Sequence, residues 1–382
     1  MSATLENAIK RLTPDYLEFW KTICRIETPS HDKAALDTLV DYLENFAKGK
    51  GYHATRQAFE NAGDFLRIDL PGDDRPPVVL MSHMDTVHEI GAFGSDPVHV
   101  DGDYLHGPGV NDCKGGIAMA MLLLEALHTS GISHPPVRVL FTSDEEISGR
   151  LSGQPGKDYF VTETQGAGYV LNLEPSTPGK LTVGRKGIAN LTLTITGKAA
   201  HAGANYFRGT SALREASHKL LALEALSQED GCTFNCGVLN GGTKSNIVPE
   251  SCTMELDVRA FTNEALLDAV EQVKSVAAVS YVPGTSCTVC TNSIRPPMEP
   301  TEGNLALFQK INQVSQRHGL EPLTSRCTGG GSDAAYTTLA GIPTVCSAGP
   351  VGYDFHTSTE RAYIPSLETQ TIWAGWIITE LQ

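Results

Sequence analysis

The stretch that most constrains this chain is Val78-Val79-Leu80-Met81-Ser82-His83-Met84-Asp85. Four consecutive apolar residues read as a strand buried on both faces, and such strands sit in sheets covered by helices on each side. His83 and Asp85 fall at i and i+2, so they point the same way where the strand gives out. At the carboxyl end of a strand in an open α/β sheet, such side chains face the crevice in which ligands bind. His-x-Asp suits a metal site there. The imidazole supplies a nitrogen ligand and the carboxylate holds its other ring N–H. Taken alone, the pair also fits a histidine that is merely satisfied at a strand end.

The same arrangement recurs downstream. A strand over 137–141 delivers Thr142-Ser143-Asp144-Glu145-Glu146, and another over 168–173 delivers Glu174-Pro175. Before the first of these strands, a loop ending in His106-Gly107-Pro108-Gly109-Val110-Asn111-Asp112-Cys113-Lys114-Gly115-Gly116 leads into a long apolar stretch, 117–127, that reads as a buried helix. Asp112 therefore lies just before a helix N-terminus. Upstream, helical spacing covers 13–25 and 33–48, and strand-like runs cover 52–58, 64–70 and 77–82. Strand, helix and strand alternate, so an α/β fold with a mixed, mostly parallel sheet is expected.

Near residue 186 the pattern changes. Strand 187–197, helix 209–226, strands 233–239 and 252–259, helix 263–278 and strand 285–291 give the order βαββαβ, that of the ferredoxin-like sandwich. After Pro296-Pro297 the first style resumes, with helix 303–317, Gly329-Gly330-Gly331-Ser332-Asp333, a helix to about residue 340, strand 343–346, a loop holding His356 and a last helix over 366–380. The expected domains are 1–185 with 297–382, and an insertion at 186–296.

A chain of 382 residues favours two domains. Its net charge of −15 argues against nucleic acid and anionic membrane surfaces as partners. No apolar run reaches membrane-spanning length. The first twelve residues are polar and amphipathic and lack a signal peptide's apolar core. Nine scattered cysteines fit reduced thiols, so a cytoplasmic location is expected. Cys287-x-x-Cys290 lies in a strand-like run whose alternation points the two thiols apart, so it is not read as a metal clip. His88, His99, His106 and His218 are expected on the surface or in loops.

His83, Asp85, Asp112, Glu145, Glu146, Glu174 and His356 form an N/O ligand set for divalent metal near strand ends. Adjacent glutamates after an apolar strand repel one another when buried, unless a metal or proton intervenes. Three carboxylates, Asp112, Glu146 and Glu174, together with one hydroxide would balance two dications. A carboxylate shared by both fits two-metal geometry, with about 3.5–4 Å between ions.

The segments M-S-H-M-D-T-V, G-P-G-V-N-D-C-K-G-G, D-E-E, N-L-E-P-S, G-K-A-A-H-A-G, S-N-I-V-P-E, G-G-G-S-D-A-A-Y and F-H-T-S follow one another as in the co-catalytic zinc metallopeptidases. The chain resembles that family of glutamate carboxypeptidases, aminoacylases, acetylornithine deacetylases and succinyl-diaminopimelate desuccinylases. It most resembles the glutamate carboxypeptidases of the carboxypeptidase G type. The resemblance implies two Zn²⁺ per subunit, with Co²⁺ able to substitute. His83 and Glu174 would bind one ion, Glu146 and His356 the other, and Asp112 both. Asp85 would orient His83, and Glu145 would be the general base. A cis peptide after Asp112 is implied too.

It further implies that the insertion is a lid and dimerisation domain. Its His201 would enter the partner subunit's site in a homodimer to stabilise the oxyanion. Arg259 and Asn246 would hold a substrate carboxylate, aided by Arg295, Lys180 and the N–H groups of Gly330 and Gly331. For Arg259 the alternative is a surface ion pair at a strand end. The chain departs from the family at Cys113, in 147–153, where the glycine–serine spacing differs, and in the bulky 204–209 loop. The expected activity is cleavage of an amide next to a free carboxylate in a small peptide or N-acyl amino acid, glutamate carboxypeptidase-like. The alternatives are an N-acyl amino acid deacylase or desuccinylase, and a non-catalytic metal-dependent binding protein.

Overall fold

In the computed structural model, which describes residues 2–381, the chain opens with helices α1 (Ser2–Arg25) and α2 (Lys33–Gly49) and strands β1 (His53–Gln57), β2 (Phe65–Leu70) and β3 (Val78–His83). Two short strands, β4 (His99–Asp101) and β5 (Tyr104–His106), precede α3 (Lys114–Ser130), β6 (Val137–Thr142), α4 (Gly153–Thr164) and β7 (Tyr169–Asn172). Next come β8 (Lys180–Arg185), β9 (Gly187–Thr196), β10 (Ala200–His201), α5 (Ala212–Glu224), β11 (Thr233–Gly241), β12 (Ile247–Val248), β13 (Ser251–Ala260), α6 (Asn263–Ala278) and β14 (Ser286–Arg295). The chain closes with α7 (Glu302–Arg317), β15 (Thr324–Thr328), α8 (Ala334–Leu339), β16 (Thr344–Val345), β17 (Gly352–Tyr353), β18 (Arg361–Tyr363) and α9 (Pro365–Glu380).

These elements cluster into two compact units. One is Met1–Val183, Pro300–Cys327 and Tyr336–Gln382; the other is Gly184–Glu299 with Thr328–Ala335. The first unit holds a six-stranded sheet in the order β1-β2-β6-β3-β7-β16. β6, β3, β7 and β16 run parallel, and β1 and β2 join antiparallel at one edge. All six residues of β3 are buried. Val78 and Leu80 join the large cluster formed with α1, α3 and α9, while Val79 and Met81 join Phe65, Leu140, Val170, Tyr159 and Phe160. The central strand is thus covered on both faces, as its apolar run requires.

Helix α1 is longer than the spacing at 13–25 predicts. It begins at Ser2 and runs through Pro14. An interior proline costs a helix about 3 kcal/mol. Here Leu5, Ile9, Leu12, Tyr16 and Trp20, at helical spacing on both sides of it, are all buried and outweigh that cost. No helix among the described residues is long and apolar enough to cross a membrane.

In the second unit, β11, β13, β9 and β14 form an antiparallel sheet in that order. Leu191, Leu193 and Ile195 of β9 and Met254, Leu256 and Val258 of β13 are buried with Leu266, Val270 and Val273 of α6. Thr194 and Thr196 on the alternate positions are exposed. Period-two patterning therefore gives a one-sided sheet backed by helices α5 and α6.

Candidate active site

Adjacent parallel strands β6, β3 and β7 end together, and their carboxyl ends carry the carboxylates and a histidine that the sequence singles out. His83 is the last residue of β3 and pairs in register with Thr142 of β6. Glu145 and Glu146 follow three and four residues beyond Thr142. Glu174 follows β7. Asp112 comes from the loop before α3. The first turn of α3 lies against the ends of β3 and β7. A Cβ on Gly116 would come 2.5 Å from the Leu173 carbonyl oxygen and 2.7 Å from Ser82 Oγ. The Ser82 hydroxyl donates to the Cys113 carbonyl at 2.7 Å. The Asp112–Cys113 peptide bond is cis.

Asp112 stands between two imidazoles. His83 Nε2 is 3.1 Å from its Oδ1, and His356 Nε2 is 3.3 Å from its Oδ2. His356 Nε2 also lies 3.2 Å from Glu146 Oε2. Ligand atoms of Asp112, Glu146 and His356 lie within 4.8 Å of one another, as do those of His83, Glu145 and Glu174. His83, Asp112 and Cys113 form a third such group. The other oxygen of Glu146, Oε1, is buried without a hydrogen-bond partner. A buried carboxylate oxygen left unpaired is costly, and a cation is what would satisfy it. The donor set, imidazole nitrogen and carboxylate oxygen with one carboxylate facing both sides, fits a pair of divalent metal ions.

The charges of these groups act strongly on one another. Burial pushes the Asp112 carboxyl up, but hydrogen bonds from His356 and His83 outweigh it and leave the group below its ordinary range. Burial, and then the Asp112 charge, push the Glu146 carboxyl up. The Asp112 and Glu146 carboxylates raise the His356 imidazole. His356 and Asp354 both adopt left-handed backbone, at φ 64° and 59°. Such non-glycine conformations store of order 1–3 kcal/mol and cluster at functional sites.

Asp85 does more than the His-x-Asp spacing predicts. Its Oδ1 lies 3.3 Å from His83 Nδ1. The backbone N–H groups of Glu145 and Glu146 donate to its two oxygens, each at 3.1 Å, and the Ser30 hydroxyl donates at 2.7 Å. One fully buried carboxylate thus ties the end of β3 to the loop after β6. Asp144 closes that loop on itself by accepting from the Ser152 N–H and hydroxyl and the Leu151 N–H.

His88 lies in a loop, as expected, but not on the surface. It is buried, with Nε2 2.9 Å from the carboxylate of Glu360, a residue that no sequence motif pointed to. Ser30 was likewise missed. Both act on backbone and side chains far off in the sequence, which leaves no local pattern to read.

The substrate-side candidates fall in different places. Lys180 is exposed, on the rim of a cavity of about 850 Å³ in the first unit whose lining includes Tyr104, Tyr353, Trp373 and Trp376 but none of the candidate ligands. His201, Asn246, Arg259, Arg295, Gly330 and Gly331 belong to the second unit. There, His201 of β10 pairs with Ile247 of β12, and the Ala202 N–H donates to the Asn246 carbonyl at 3.0 Å. His201 Nδ1 accepts from the N–H groups of Gly203 and Ala204 at 3.1 and 3.2 Å. That nitrogen is therefore unprotonated, and Nε2 carries the ring proton as a donor. Arg259 grips Asp257 through Nε and Nη2 at 2.7 and 3.1 Å and donates from Nη1 to the Gly329 carbonyl at 2.8 Å. Arg295 is buried, 3.6 Å from Asp333. It also lies beside Gly331, where a Cβ would come 3.1 Å from its Nη1.

Residues 79–374 match the description "Peptidase family M20/M25/M40". Carboxypeptidase G2 of Pseudomonas sp. (strain RS-16) is 33% identical over 377 residues, covering 96% of this chain and 89% of that protein. Among solved structures, aminopeptidase PepT of Bacillus cereus ATCC 10987 superposes with a TM-score of 0.79 at 23% identity, covering 96% of this chain and 98% of that one. The M20 family metallo-carboxypeptidase Sso-CP2 of Sulfolobus solfataricus gives 0.78 at 14% identity, covering 95% and 98%.

Proposed function

We infer the activity from this premise: the chain belongs to peptidase family M20/M25/M40 and is a hydrolytic metallopeptidase. Within that family we read it as a di-zinc exopeptidase that cleaves an amide next to a free carboxylate, in the manner of a glutamate carboxypeptidase. The observation that carries the two-metal reading is Asp112, whose two oxygens face different histidines at 3.1 and 3.3 Å. The likeness to carboxypeptidase G2 over nearly the whole chain supports the choice of bond.

Zinc ions held by His83, Asp112 and Glu174 and by Asp112, Glu146 and His356 would polarise the scissile carbonyl and lower the pKa of water toward about 7. The protein's own part begins with Glu145. Its carboxylate takes a proton from the attacking water and passes it to the leaving nitrogen. Asp85 holds the Nδ1 side of His83 and, through two backbone N–H groups, the segment that carries Glu145. In a homodimer, His201 of one subunit donates a hydrogen bond from its Nε2–H to the developing oxyanion in the other. Its double acceptance at Nδ1 supports that tautomer. Arg259 and Asn246, with Arg295 and the N–H groups of Gly330 and Gly331, are the proposed contacts for the substrate carboxylate; Lys180 is not among them, because it lines a cavity that none of the candidate ligands line. The Nε–Nη2 edge of Arg259 is taken by Asp257, the strand-end ion pair that was its alternative, and Nη1 donates to the Gly329 carbonyl, so a substrate carboxylate would meet only the remaining Nη N–H groups.

The test is release of free amino acid from a panel of dipeptides, N-acyl amino acids and succinylated amines, with zinc and with cobalt. Fastest release of C-terminal glutamate is expected. Turnover confined to acetyl or succinyl substrates would replace the reading by a deacylase, and no turnover on any member would remove it.

A further inference from the structure

Glu360 is fully buried, four residues after His356 and immediately before β18. All its carboxylate contacts given by the structure are with donors. Oε1 accepts from the N–H groups of Asn111 and Asp112 at 2.9 and 3.0 Å. Oε2 accepts from the Gly109 N–H at 3.1 Å and lies 2.9 Å from His88 Nε2. Its carbonyl oxygen accepts from the Gly107 N–H at 3.4 Å. The N–H groups of residues 109, 111 and 112 precede the first turn of α3. They have no helical acceptor, and without Glu360 they would be buried and unmet.

The same segment is held from two other directions. The Trp20 indole donates to the Val110 carbonyl at 2.9 Å, and the Lys114 N–H donates to the Gly109 carbonyl at 2.9 Å. Glu360 is the element that joins it to the loop carrying His356. Its own N–H donates to the Thr357 carbonyl at 3.2 Å, and the Thr357 N–H donates to the Asp354 carbonyl at 3.2 Å. β18 then pairs with β5, Arg361 opposite His106, so the two segments enter the site side by side.

We propose that Glu360 is a positioning residue for the metal centre. It fixes the peptide from which Asp112 projects and fastens that peptide to the loop that presents His356. It therefore sets where the shared carboxylate meets its second histidine, while touching neither substrate nor ligand side chain itself. The inference rests on the two-metal reading above. A charged acceptor suits the place because hydrogen bonds from backbone N–H to carboxylate are short and strong, and a neutral amide presents only one acceptor oxygen.

The experiment compares E360Q, E360D and H88A with the parent, each confirmed as folded and assayed well below its own melting temperature. Zinc affinity is measured on metal-stripped protein by competition with a chromogenic chelator, and kcat and KM on the reloaded protein. E360Q and E360D should bind zinc about 10–100-fold more weakly, the usual effect of removing a partner that orients a metal ligand. Their kcat should fall with KM little changed. H88A removes a contact on the Gly109 side of the carboxylate and leaves the bonds to Asn111 and Asp112. It should lose stability yet keep parent-like zinc affinity.

Folded E360Q and E360D with parent affinity and kcat would overturn the proposal. So would a loss of affinity in H88A equal to that in E360Q, which would follow stability and not position. If E360Q does not fold, E360D decides. Failure of both to fold would make the carboxylate a folding element and overturn the proposal as well. A parent protein that takes up no zinc would be a different result, striking the two-metal reading itself and this inference with it.

Discussion

The two units hold their functional candidates in opposite ways. In the first, His83, Asp112, Glu145 and Glu174 are buried, hanging from backbone at the ends of β3, β6 and β7 or at the start of α3, and of the candidate ligands His356 alone is exposed, on its loop. In the second, His201 and Asn246 are exposed at a two-residue strand pair, and Arg259 is half-buried at the end of β13. Core packing dictates the first set, because moving one ligand means moving a strand. Solvent-facing corners carry the second set, so those residues can change without cost to a core. The candidate metal ligands are thus built into the fold, while His201, Asn246 and Arg259 sit on parts that its cores do not need.

Several outcomes would break or sharpen that contrast. Exhaustive chelation should abolish activity, and added Zn²⁺ or Co²⁺ should restore it, since imidazole and carboxylate accept either ion. Full activity in protein shown by elemental analysis to be metal-free would end the two-metal reading. Next in size is Glu145→Gln, which should lower kcat by at least about 10²-fold, the scale of general acid–base catalysis, with metal content near the parent's. Glu145 also shares a possible ligand group with His83 and Glu174. Loss of one metal equivalent together with activity would therefore make it a ligand.

On the exposed side, His201→Ala should lower kcat by about 10²–10³-fold without changing metal content. Mixing it with Glu145→Gln after dissociation and reassembly tests where it acts. A mixed dimer would have one site with both defects and one with neither, so activity should reappear at no more than about half of normal per dimer. Mixed dimers as inactive as their parents would place His201 in its own chain's site.

Metal uptake should depend on pH with a definite sign. Burial and the Asp112 charge raise the Glu146 carboxyl, and its two carboxylate neighbours raise His356. Both groups then hold protons that a metal must displace. Affinity should rise with pH, by up to about tenfold per unit for each proton displaced, with protons released on binding. Zinc titrations at several pH values in weakly coordinating buffers read this directly, and a flat profile would contradict the raised groups. The smallest effect is expected at Phe207, which is 98% exposed. Phe207→Ser should change stability by no more than about 0.5 kcal/mol in urea titration. A larger loss would mean that this corner is packed against something.

The sequence made strand ends legible because burial on two faces leaves a run of apolar residues, and the first polar groups after it stand out. His83, Glu145, Glu146 and Glu174 stand out in that way as candidates. Asp112 stood out because a long apolar helix follows it. The strands β4 and β5 lay hidden in a loop-rich stretch, since three residues are too few to show a period. β8 and α4 were also missed. Helix α4 carries few apolar residues at helical spacing, and only Gly156, Tyr159, Phe160 and Thr164 are buried. The supports of the site were least legible. Glu360 answers backbone N–H groups roughly 250 residues away, and backbone has no sequence signature. Ser30 reaches Asp85 across 55 residues for the same reason. Motifs announce the candidate ligands and base, while the groups that hold them in place emerge only once the chain is folded.

Gly116 carries a consequence for how such a site can diversify. No side chain fits between the first turn of α3 and the ends of β3 and β7, so bare backbone spaces Asp112 from the two strand ends. There is no larger or smaller residue by which mutation could tune that spacing in small steps. Retuning the centre then falls to exchange of the donor atoms themselves or to groups such as Glu360 that hold the Asp112 peptide. Cys113, a thiol already within 4.8 Å of His83 and Asp112, shows how short a step that exchange would be.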